Sequence, residues 1–289
     1  MANKKKSILD LYKMKEAGEQ AVWMTAYDYP FAQYAERAGI DMILVGDSMG
    51  MIVYGFSGTI PVTMDMCILQ TQAVRRGAPN TYIIGDMPYG SYHESTEQAV
   101  ANAVRFMKEA DVDAIKLEGG VAVADKIQAI AQAGVVVFGH IGLTPQSSAA
   151  MGGFRAQGRT TDSARAVIQD AIAAYKAGAR VVLIEGVPEE VSQFIHKILP
   201  CPVYGIGAGT GLDGQALVNG DMLGMFDAYC PKFAKKYADV AGVVTKACEE
   251  FIRECKDGVF PGPEHKYKIS GEATLFQELF NEIESATTF

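Results

Sequence analysis

Five short apolar runs of this chain each end in an acidic residue, a lysine or a histidine. They lead into Gly46-Asp47-Ser48, Gly85-Asp86, Lys116-Leu117-Glu118, Gly139-His140 and Glu185-Gly186. A charge at the end of a buried strand destabilises the fold unless it is paired or binds a ligand. Because several strands end in this way, we expect their ends to meet around one site. Converging carboxylates there favour a hard cation and a proton transfer.

Strand-like and helix-like segments alternate along most of the chain, and the predicted helices include one capped by Asp162 that runs through Ala177 and a long one over 233–254. The predicted strands lack polar alternation, which is typical of a parallel sheet covered on both faces; they are 22–26, 42–45, 82–84, 115–117, 135–138, 181–184, 203–206 and 216–218. Seven or eight such βα units in about 250 residues predict an α/β fold, a (β/α)₈ TIM barrel. A doubly wound open sheet is the alternative. It usually gathers its ligand groups at one switch point, so the barrel is favoured.

The composition is that of an ordinary folded protein, with 49% hydrophobic and 21% charged residues among 289. No linker or change in composition divides the chain, so we expect one domain over residues 1–289. A C-terminal tail should start at about residue 259 and contain an amphipathic helix with Leu275, Leu279 and Ile283 on one face. The net charge of −8 argues against a nucleic-acid partner.

The predicted location is the cytoplasm. The basic N-terminus is not followed by the apolar run of a signal peptide, and no stretch approaches the ~18 apolar residues that span a membrane. The five cysteines form no CxxC pair and no metal-site spacing. They therefore indicate reduced thiols in the core of a cytosolic protein. We expect small-molecule ligands and no membrane partner.

Asp47, Asp86 and Glu118 occupy equivalent positions at strand ends, and this favours a metal site over a turn role for Asp86. Lys116 and Glu118 are two residues apart, so on a strand they point to the same face. That face is predicted to be the barrel interior, near its top. A buried ion pair between these two residues is the alternative, beside a role for Lys116 in binding an anionic substrate.

Glu185 and His140 are the candidates for moving a proton. Glu185 ends an apolar strand, and an apolar environment raises the pKa of a carboxylate toward that of a useful base. The alternative for Glu185 is a helix cap or a loop acid. His140 stands at a strand end, where it is either a site residue or a structural histidine.

Two glycine-containing motifs suggest other functions. GDSMG (46–50) matches the nucleophile elbow of serine hydrolases, with Ser48 as the nucleophile, but the residues after it predict a poor helix. A substrate contact is therefore favoured for Ser48, and a serine hydrolase remains the alternative. GIGAGTG (205–211) does not fit the dinucleotide fingerprint. In a barrel this position more often carries a phosphate or backbone-contact loop.

A series of longer segments, in order up to His265, resembles the ketopantoate hydroxymethyltransferase family. The segments are TAYDYPFAQ (25–33), LVGDSMGM (44–51), TIPVT (59–63), AVRRGAPN (73–80), GDMPYGSY (85–92), KLEGG (116–120), GHIGLTPQS (139–147), GGFRAQGR (152–159), GIGAG (205–209), DGQ (213–215), PKFAKKYADV (231–240) and VFPGPEH (259–265). The resemblance implies a barrel of the phosphoenolpyruvate mutase/isocitrate lyase-like superfamily and a homodecamer. It also implies Mg²⁺-dependent transfer of a hydroxymethyl group from 5,10-methylenetetrahydrofolate to 3-methyl-2-oxobutanoate, giving ketopantoate for coenzyme A synthesis.

The resemblance further implies a role for each strand-end residue. Glu185 resembles the proton acceptor. The residues that resemble metal ligands are Asp47, Asp86 and Glu118. Those that resemble substrate-binding residues are Asp47, Ser48, Asp86, Lys116 and His140.

The chain departs from the family pattern at three places where histidine is common, which hold Phe56, Gln70 and Gly220. These departures concern the surroundings of the site and its folate face, and leave open a different branched 2-oxoacid as substrate. A C–C lyase or mutase of the same superfamily is another alternative, although the Lys-Cys-Gly-His loop of the lyases is absent. The last alternative is a barrel that binds a 2-oxoacid without catalysing a reaction.

Overall fold

Eight parallel strands close into a barrel in the computed structural model, which describes residues 5–226 and 230–287. The strands are β1 (Ala21–Thr25), β2 (Met42–Val45), β3 (Tyr82–Asp86), β4 (Ala114–Glu118), β5 (Val137–Gly142), β6 (Val181–Glu185), β7 (Val203–Ile206) and β8 (Gly214–Leu217). Each strand pairs with the next in sequence, and β8 pairs with β1. The predicted (β/α)₈ barrel is therefore confirmed, and the open sheet is wrong because this sheet closes on itself.

Helices precede, connect and follow the strands along the chain. They are α1 (Ile8–Ala17), α2 (Tyr29–Ala38), α3 (Met49–Ile52), α4 (Met64–Gly77), α5 (Thr96–Ala110), α6 (Ala124–Gln132), α7 (Thr161–Lys176), α8 (Glu189–Ile198), α9 (Asn219–Leu223), α10 (Val240–Lys256) and α11 (Ala273–Ala286). Side-chain caps determine where several of these helices begin. At the start of α4, the Thr63 side chain accepts a hydrogen bond from the backbone N–H of Met66. Asp162, predicted to cap α7, lies inside it, because Thr160 forms the cap with Ser163.

The chain divides into two compact units, one up to Ala238 and one from Asp239. The first unit contains the barrel. The second contains α10 and α11, and the predicted amphipathic face of α11 is solvent-exposed at Leu275, Leu279 and Ile283. A helix predicted over 233–254 begins only at Val240, where the Asp239 side chain accepts a hydrogen bond from the backbone N–H of Gly242. The single domain with a tail from about residue 259 stays a prediction.

Inward-facing side chains fill the lower part of the barrel with aromatic rings. The ring centroid of Trp23 lies 6.2 Å from that of Phe138 and 5.8 Å from that of Tyr204, both in edge contact. Helix α1 lies across the amino ends of the strands, where its Leu11 is fully buried in the same cluster. A salt bridge of 2.8 Å from Lys15 to Asp213, which immediately precedes β8, ties this helix to the barrel.

Two further sequence expectations bear on location. None of the described helices combines the length and the apolar character that a membrane crossing requires. The cysteines are free, but only Cys67 and Cys201 are buried, whereas Cys248 and Cys255 are exposed on α10. The prediction that all five are core thiols is therefore wrong for the α10 pair, because no side chain of α10 is buried.

Candidate active site

One inner cavity of about 80 Å³ lies at the carboxyl ends of the strands. It opens where β2 to β6 end, the end at which barrel enzymes place their reactive groups. All seven residues that the sequence predicts for the site line this cavity: Asp47, Ser48, Asp86, Lys116, Glu118, His140 and Glu185. The structure thus brings the predicted set together, and the chemical role of each member stays a prediction.

Lys116 lies at the centre of the buried charges. Its Nζ is 2.8 Å from Asp86 Oδ1 and 3.1 Å from Glu118 Oε1, and all three side chains are 4% exposed or less. Burial lowers the pKa of Lys116, but the neighbouring carboxylates outweigh burial and raise that pKa well above its ordinary value. The buried ion pair considered from the sequence is therefore present, and it keeps a cation at the cavity wall.

Asp47 and Asp86 approach each other from neighbouring strands. The backbone N–H of Asp47 donates to Asp86 Oδ2 at 2.9 Å, and Asp47 Oδ2 accepts from the Gln146 side chain at 2.8 Å. Asp86 Oδ1 has no aligned hydrogen-bond donor in the described part of the chain. Burial raises the pKa of both carboxyls, and for Asp47 the nearby Asp86 raises it further. Two buried carboxyl groups this close to each other form a site that a bound cation would stabilise.

Glu118 is already occupied by hydrogen bonds and an ion pair. Its Oε1 faces Lys116, and its Oε2 accepts from the backbone N–H of Gln146 at 2.9 Å. Burial raises the pKa of Glu118, but Lys116, His140 and the backbone N–H of Gln146 together outweigh burial and give a pKa of about 2. The Tyr92 hydroxyl donates to Gln146 Oε1 at 2.6 Å, which orients the amide. Sequence reasoning missed Gln146 and Tyr92, although both lie in the quoted segments GHIGLTPQS and GDMPYGSY.

His140 lies between two acids on adjacent strands. Its Nε2 is 3.1 Å from Glu185 Oε2, and its Nδ1 is 3.5 Å from Glu118 Oε1. Burial and Lys116 lower the pKa of His140, but the two carboxylates outweigh them and raise it. Glu185 therefore has His140 as a direct neighbour, a contact that sequence reasoning did not predict. The adjoining Gly142, with φ +87°, lets the chain pass directly against the backbone of Glu185, where no side chain would fit.

Ser48 does not have the surroundings of a hydrolase nucleophile. A strand precedes it and the single turn of α3 follows, so the local geometry partly matches the elbow and the expected poor helix is one turn long. Its Oγ shares a hydrogen bond of 2.9 Å with the Tyr27 hydroxyl. Among the described residues, no hydrogen bond joins Ser48 to a histidine, and a general base is what that nucleophile requires.

The donor set fits Mg²⁺ bound together with a substrate. Across residues 5–226 and 230–287, no three His, Cys, Asp or Glu side chains form a complete metal site by themselves. Mg²⁺ usually takes one or two carboxylates and completes its octahedron with substrate and water oxygens. Asp47 and Asp86, whose Oδ1 lies 2.8 Å from Lys116 Nζ but accepts no aligned hydrogen bond, match that mode. Glu118, whose oxygens already contact Lys116 and Gln146, matches an indirect role.

A second, outer cavity of about 560 Å³ adjoins the first. The two share five lining residues, Ser48, Pro145, Glu185, Ile206 and Val218. Its walls are largely apolar and include Phe56, Phe154 and Phe233. Asp221, in the single turn of α9, adds a carboxylate to this wall.

Of the three departures from the family pattern, Phe56 lines this outer cavity and Gly220 contacts the lining residue Phe226. The ring of Phe56 stacks on Tyr54 with centroids 5.8 Å apart, and the Gln70 side chain donates to the Tyr54 hydroxyl at 2.7 Å. Gly220 packs against Phe226, and a Cβ at Gly220 would come within 2.6 Å of that ring. Two of the departures thus meet at Tyr54, and the third leaves room for an aromatic side chain.

Comparison with known proteins identifies the family. The family model described as ketopantoate hydroxymethyltransferase matches residues 5–263. A 3-methyl-2-oxobutanoate hydroxymethyltransferase of Alkaliphilus metalliredigens is 61% identical over 279 residues, covering 96% of this chain and 99% of the relative. One of the same name from Enterococcus faecalis is 48% identical over 268 residues, covering 93% and 98%.

Solved structures agree on the fold. A 2,3-dimethylmalate lyase, described as a PEP mutase/isocitrate lyase superfamily member, superposes with a TM-score of 0.59 at 17% identity, covering 96% of each chain. A phosphonopyruvate hydrolase gives 0.59 at 14% identity, covering 97% of each chain. At such identities the likeness shows the (β/α)₈ barrel fold alone and carries nothing about a lyase activity. From the family match and the near full-length relatives, the chain belongs to the ketopantoate hydroxymethyltransferase family.

Proposed function

We propose that this protein transfers a hydroxymethyl group from 5,10-methylenetetrahydrofolate to 3-methyl-2-oxobutanoate, giving 2-dehydropantoate (ketopantoate) for pantothenate and coenzyme A synthesis. The observation that carries the proposal is the inner cavity, where a buried lysine, two closely placed aspartates and Glu185 surround one small space. This set suits a small 2-oxoacid from which a proton is removed. The relatives named for this activity support the assignment.

The inner cavity would bind the 2-oxoacid through both of its oxygen groups. Lys116 offers a permanent positive charge to the substrate carboxylate, and the Ser48 hydroxyl offers a hydrogen bond. Mg²⁺ held by Asp47 and Asp86 would, when bound, supply the Lewis acid that polarises the keto group. Glu118 would hold Lys116 and the backbone of Gln146 in place around it.

Glu185 would remove the proton from C3 of the substrate. It lines both cavities, so its carboxylate lies where the 2-oxoacid and the one-carbon donor meet. His140, with Nε2 at 3.1 Å from Glu185 Oε2, would fix the orientation of that carboxylate. A positioned general base contributes a rate factor of about 10²–10⁴.

The transfer balances with one molecule of water. C3 loses its proton and forms a carbon–carbon bond to the one-carbon unit, whose two bonds to the folate nitrogens break. Water supplies the hydroxyl group of the product and one proton. That proton and the one taken from C3 restore the N–H groups at the two nitrogens of tetrahydrofolate.

The test separates proton removal from transfer. The protein is incubated with 3-methyl-2-oxobutanoate in D₂O, with Mg²⁺ or with EDTA, and the C3 proton is followed by NMR. We expect exchange with Mg²⁺ that EDTA abolishes, and ketopantoate after 5,10-methylenetetrahydrofolate is added. Absence of both exchange and product from the folded protein would contradict the proposal.

The cellular setting and the assembly are part of the same proposal. We infer a cytoplasmic enzyme that forms a homo-oligomer, a decamer by family resemblance. Free thiols at all five cysteines agree with a reducing compartment. Sedimentation velocity of the purified protein tests the assembly, and a monomeric species at micromolar concentration would contradict it.

A further inference from the structure

The outer cavity has the properties of a site for a flat aromatic heterocycle. Its volume of about 560 Å³ lies in the range of cavities that hold cofactor-sized ligands. Phe56 and Phe233 line it, and aromatic side chains provide flat apolar surface for a ring to stack on. The ring of Phe233 packs directly on Gly207, where a Cβ would come within 2.5 Å of it. The wall is therefore built from closely fitted groups.

Asp221 gives this apolar wall a polar group. It and Glu185 are the two carboxylates among the described lining residues. Burial raises the pKa of Asp221 and the nearby Glu185 raises it further, which together outweigh the opposite effect of Lys236. No hydrogen bond or salt bridge engages its side chain within residues 5–226 and 230–287. A partly buried carboxylate in such surroundings is stabilised by a ligand that donates hydrogen bonds.

The backbone around Asp221 is held at both ends of α9. The N–H of Asn219 donates to Thr25 Oγ1 at 2.9 Å, which ties the start of the turn to β1. The N–H of Tyr237 donates to the Met222 carbonyl at 2.8 Å, which ties the following segment to the turn. The carboxylate is therefore presented from a fixed backbone, as selective hydrogen bonding requires.

We propose that the outer cavity binds the pteridine ring of 5,10-methylenetetrahydrofolate, with the Asp221 carboxylate accepting hydrogen bonds from the N3–H and the 2-amino group. This assignment rests on the proposed function. The 2-amino-4-oxo edge of the pteridine carries two parallel N–H donors, which match the two oxygens of a carboxylate as a guanidinium does. The ring faces would lie against the aromatic wall, and the one-carbon unit would lie toward Glu185.

Charge selects this orientation of the folate over the reverse one. The other end of the molecule carries the glutamate carboxylates, which Asp221 and Glu185 would repel. Lys232, an exposed residue that also lines the outer cavity, suits that anionic end. The donor-rich end therefore belongs at Asp221 and the acidic end toward solvent.

The experiment uses Asp221→Asn, which keeps the size of the side chain and replaces one acceptor oxygen by a donor. We expect the KM for 5,10-methylenetetrahydrofolate and the Kd for tetrahydrofolate, measured by calorimetry without oxygen, to rise about 10- to 100-fold. Asp221→Glu should recover part of the affinity. Folate-independent exchange of the C3 proton should stay within about threefold. Asp162→Asn, at an exposed position in α7, is the matched control and should change none of these values.

A folate analogue tests the specific contact. Replacing the 2-amino group of tetrahydrofolate by methyl should weaken binding to the wild-type protein about 10-fold or more, and should weaken binding to Asp221→Asn much less. Equal losses in both proteins, or an unchanged Kd in Asp221→Asn, would overturn the assignment while wild-type exchange and transfer leave the proposed function standing. Wild-type protein that neither exchanges C3 nor binds tetrahydrofolate would overturn both.

Discussion

The two adjoining cavities differ in how they are built. The inner one is small and charged, and its groups come from the ends of β2 to β6, which hydrogen bonds of the barrel hold in register. The outer one is about seven times larger and apolar, and loops and single helical turns form it. Strand ends fix charged atoms against one another, whereas loops provide area for a large ligand. We therefore expect variants of the inner cavity to affect both half-reactions and variants of the outer cavity to affect only transfer.

The largest effect should follow Glu185→Gln. An amide of the same shape cannot accept the C3 proton, so exchange and transfer should both fall by about 10²–10⁴. NMR exchange measures the first and product formation the second. Circular dichroism should show an unchanged fold. Exchange at the wild-type rate would remove Glu185 from the role of base, and loss of transfer alone would place it in the donor site.

Lys116→Met tests the charge balance of the inner cavity. The change leaves Asp86 and Glu118 buried without their cation, and breaking such a pair costs about 3–5 kcal/mol of unfolding free energy. Urea denaturation measures the loss. Lys126→Met is the matched control, because Lys126 pairs with the exposed Asp125 and such surface pairs contribute about 0–1 kcal/mol. Equal losses in the two variants would show that the inner charges are not coupled.

Gly207→Ala tests the wall of the outer cavity. The new Cβ would overlap the ring of Phe233, and Gly207 has φ +62°, which alanine adopts poorly. We expect a loss of about 1–3 kcal/mol of unfolding free energy and a higher KM for the folate, with exchange retained. Gly18→Ala is the control: Gly18 also has positive φ but no close neighbour, so it carries the backbone strain alone. A normal folate KM in the folded Gly207 variant would contradict this account of the wall.

Tyr54→Phe should have the smallest effect. It removes the hydroxyl that accepts from Gln70 but keeps the ring that stacks on Phe56. The hydrogen bond is exposed, so we expect at most about 1 kcal/mol in urea denaturation and near-normal kinetics in both half-reactions. A large loss of transfer would mean that these family departures act on the donor site rather than on its rim.

The sequence predicts the barrel and its charged rim well because both depend on local patterns. Strands at 42–45 and 203–206 agree with the structure, since each is an uninterrupted apolar run covered on both sides. The prediction for β5 is two residues early and stops at residue 138, because the strand continues through glycines that usually break one. The helix over 233–254 is wrong at its start, because the first side-chain cap comes only from Asp239.

The contacts within the site depend on the fold and leave little local signal. Gln146 reaches Asp47 across 99 positions, and Tyr92 reaches Gln146 across 54. Uncharged side chains at such separations carry no spacing that predicts their meeting. The register that sets Glu118 opposite His140, and Gly142 opposite Glu185, comes from closing the barrel. Patterns therefore predict which strand ends carry charge, and the closed sheet determines which charges touch.

Helix α1 covers the amino end of the barrel and buries Leu11 among the interior aromatic rings. The inner cavity then exchanges its contents through the carboxyl end, past the residues that it shares with the outer cavity. A folate seated in the outer cavity would block that passage. The order of events follows: the 2-oxoacid enters first and the folate second, and tetrahydrofolate departs before ketopantoate. We therefore expect steady-state kinetics of a compulsory-ordered mechanism, in which excess folate slows the release of the ligand bound in the inner cavity.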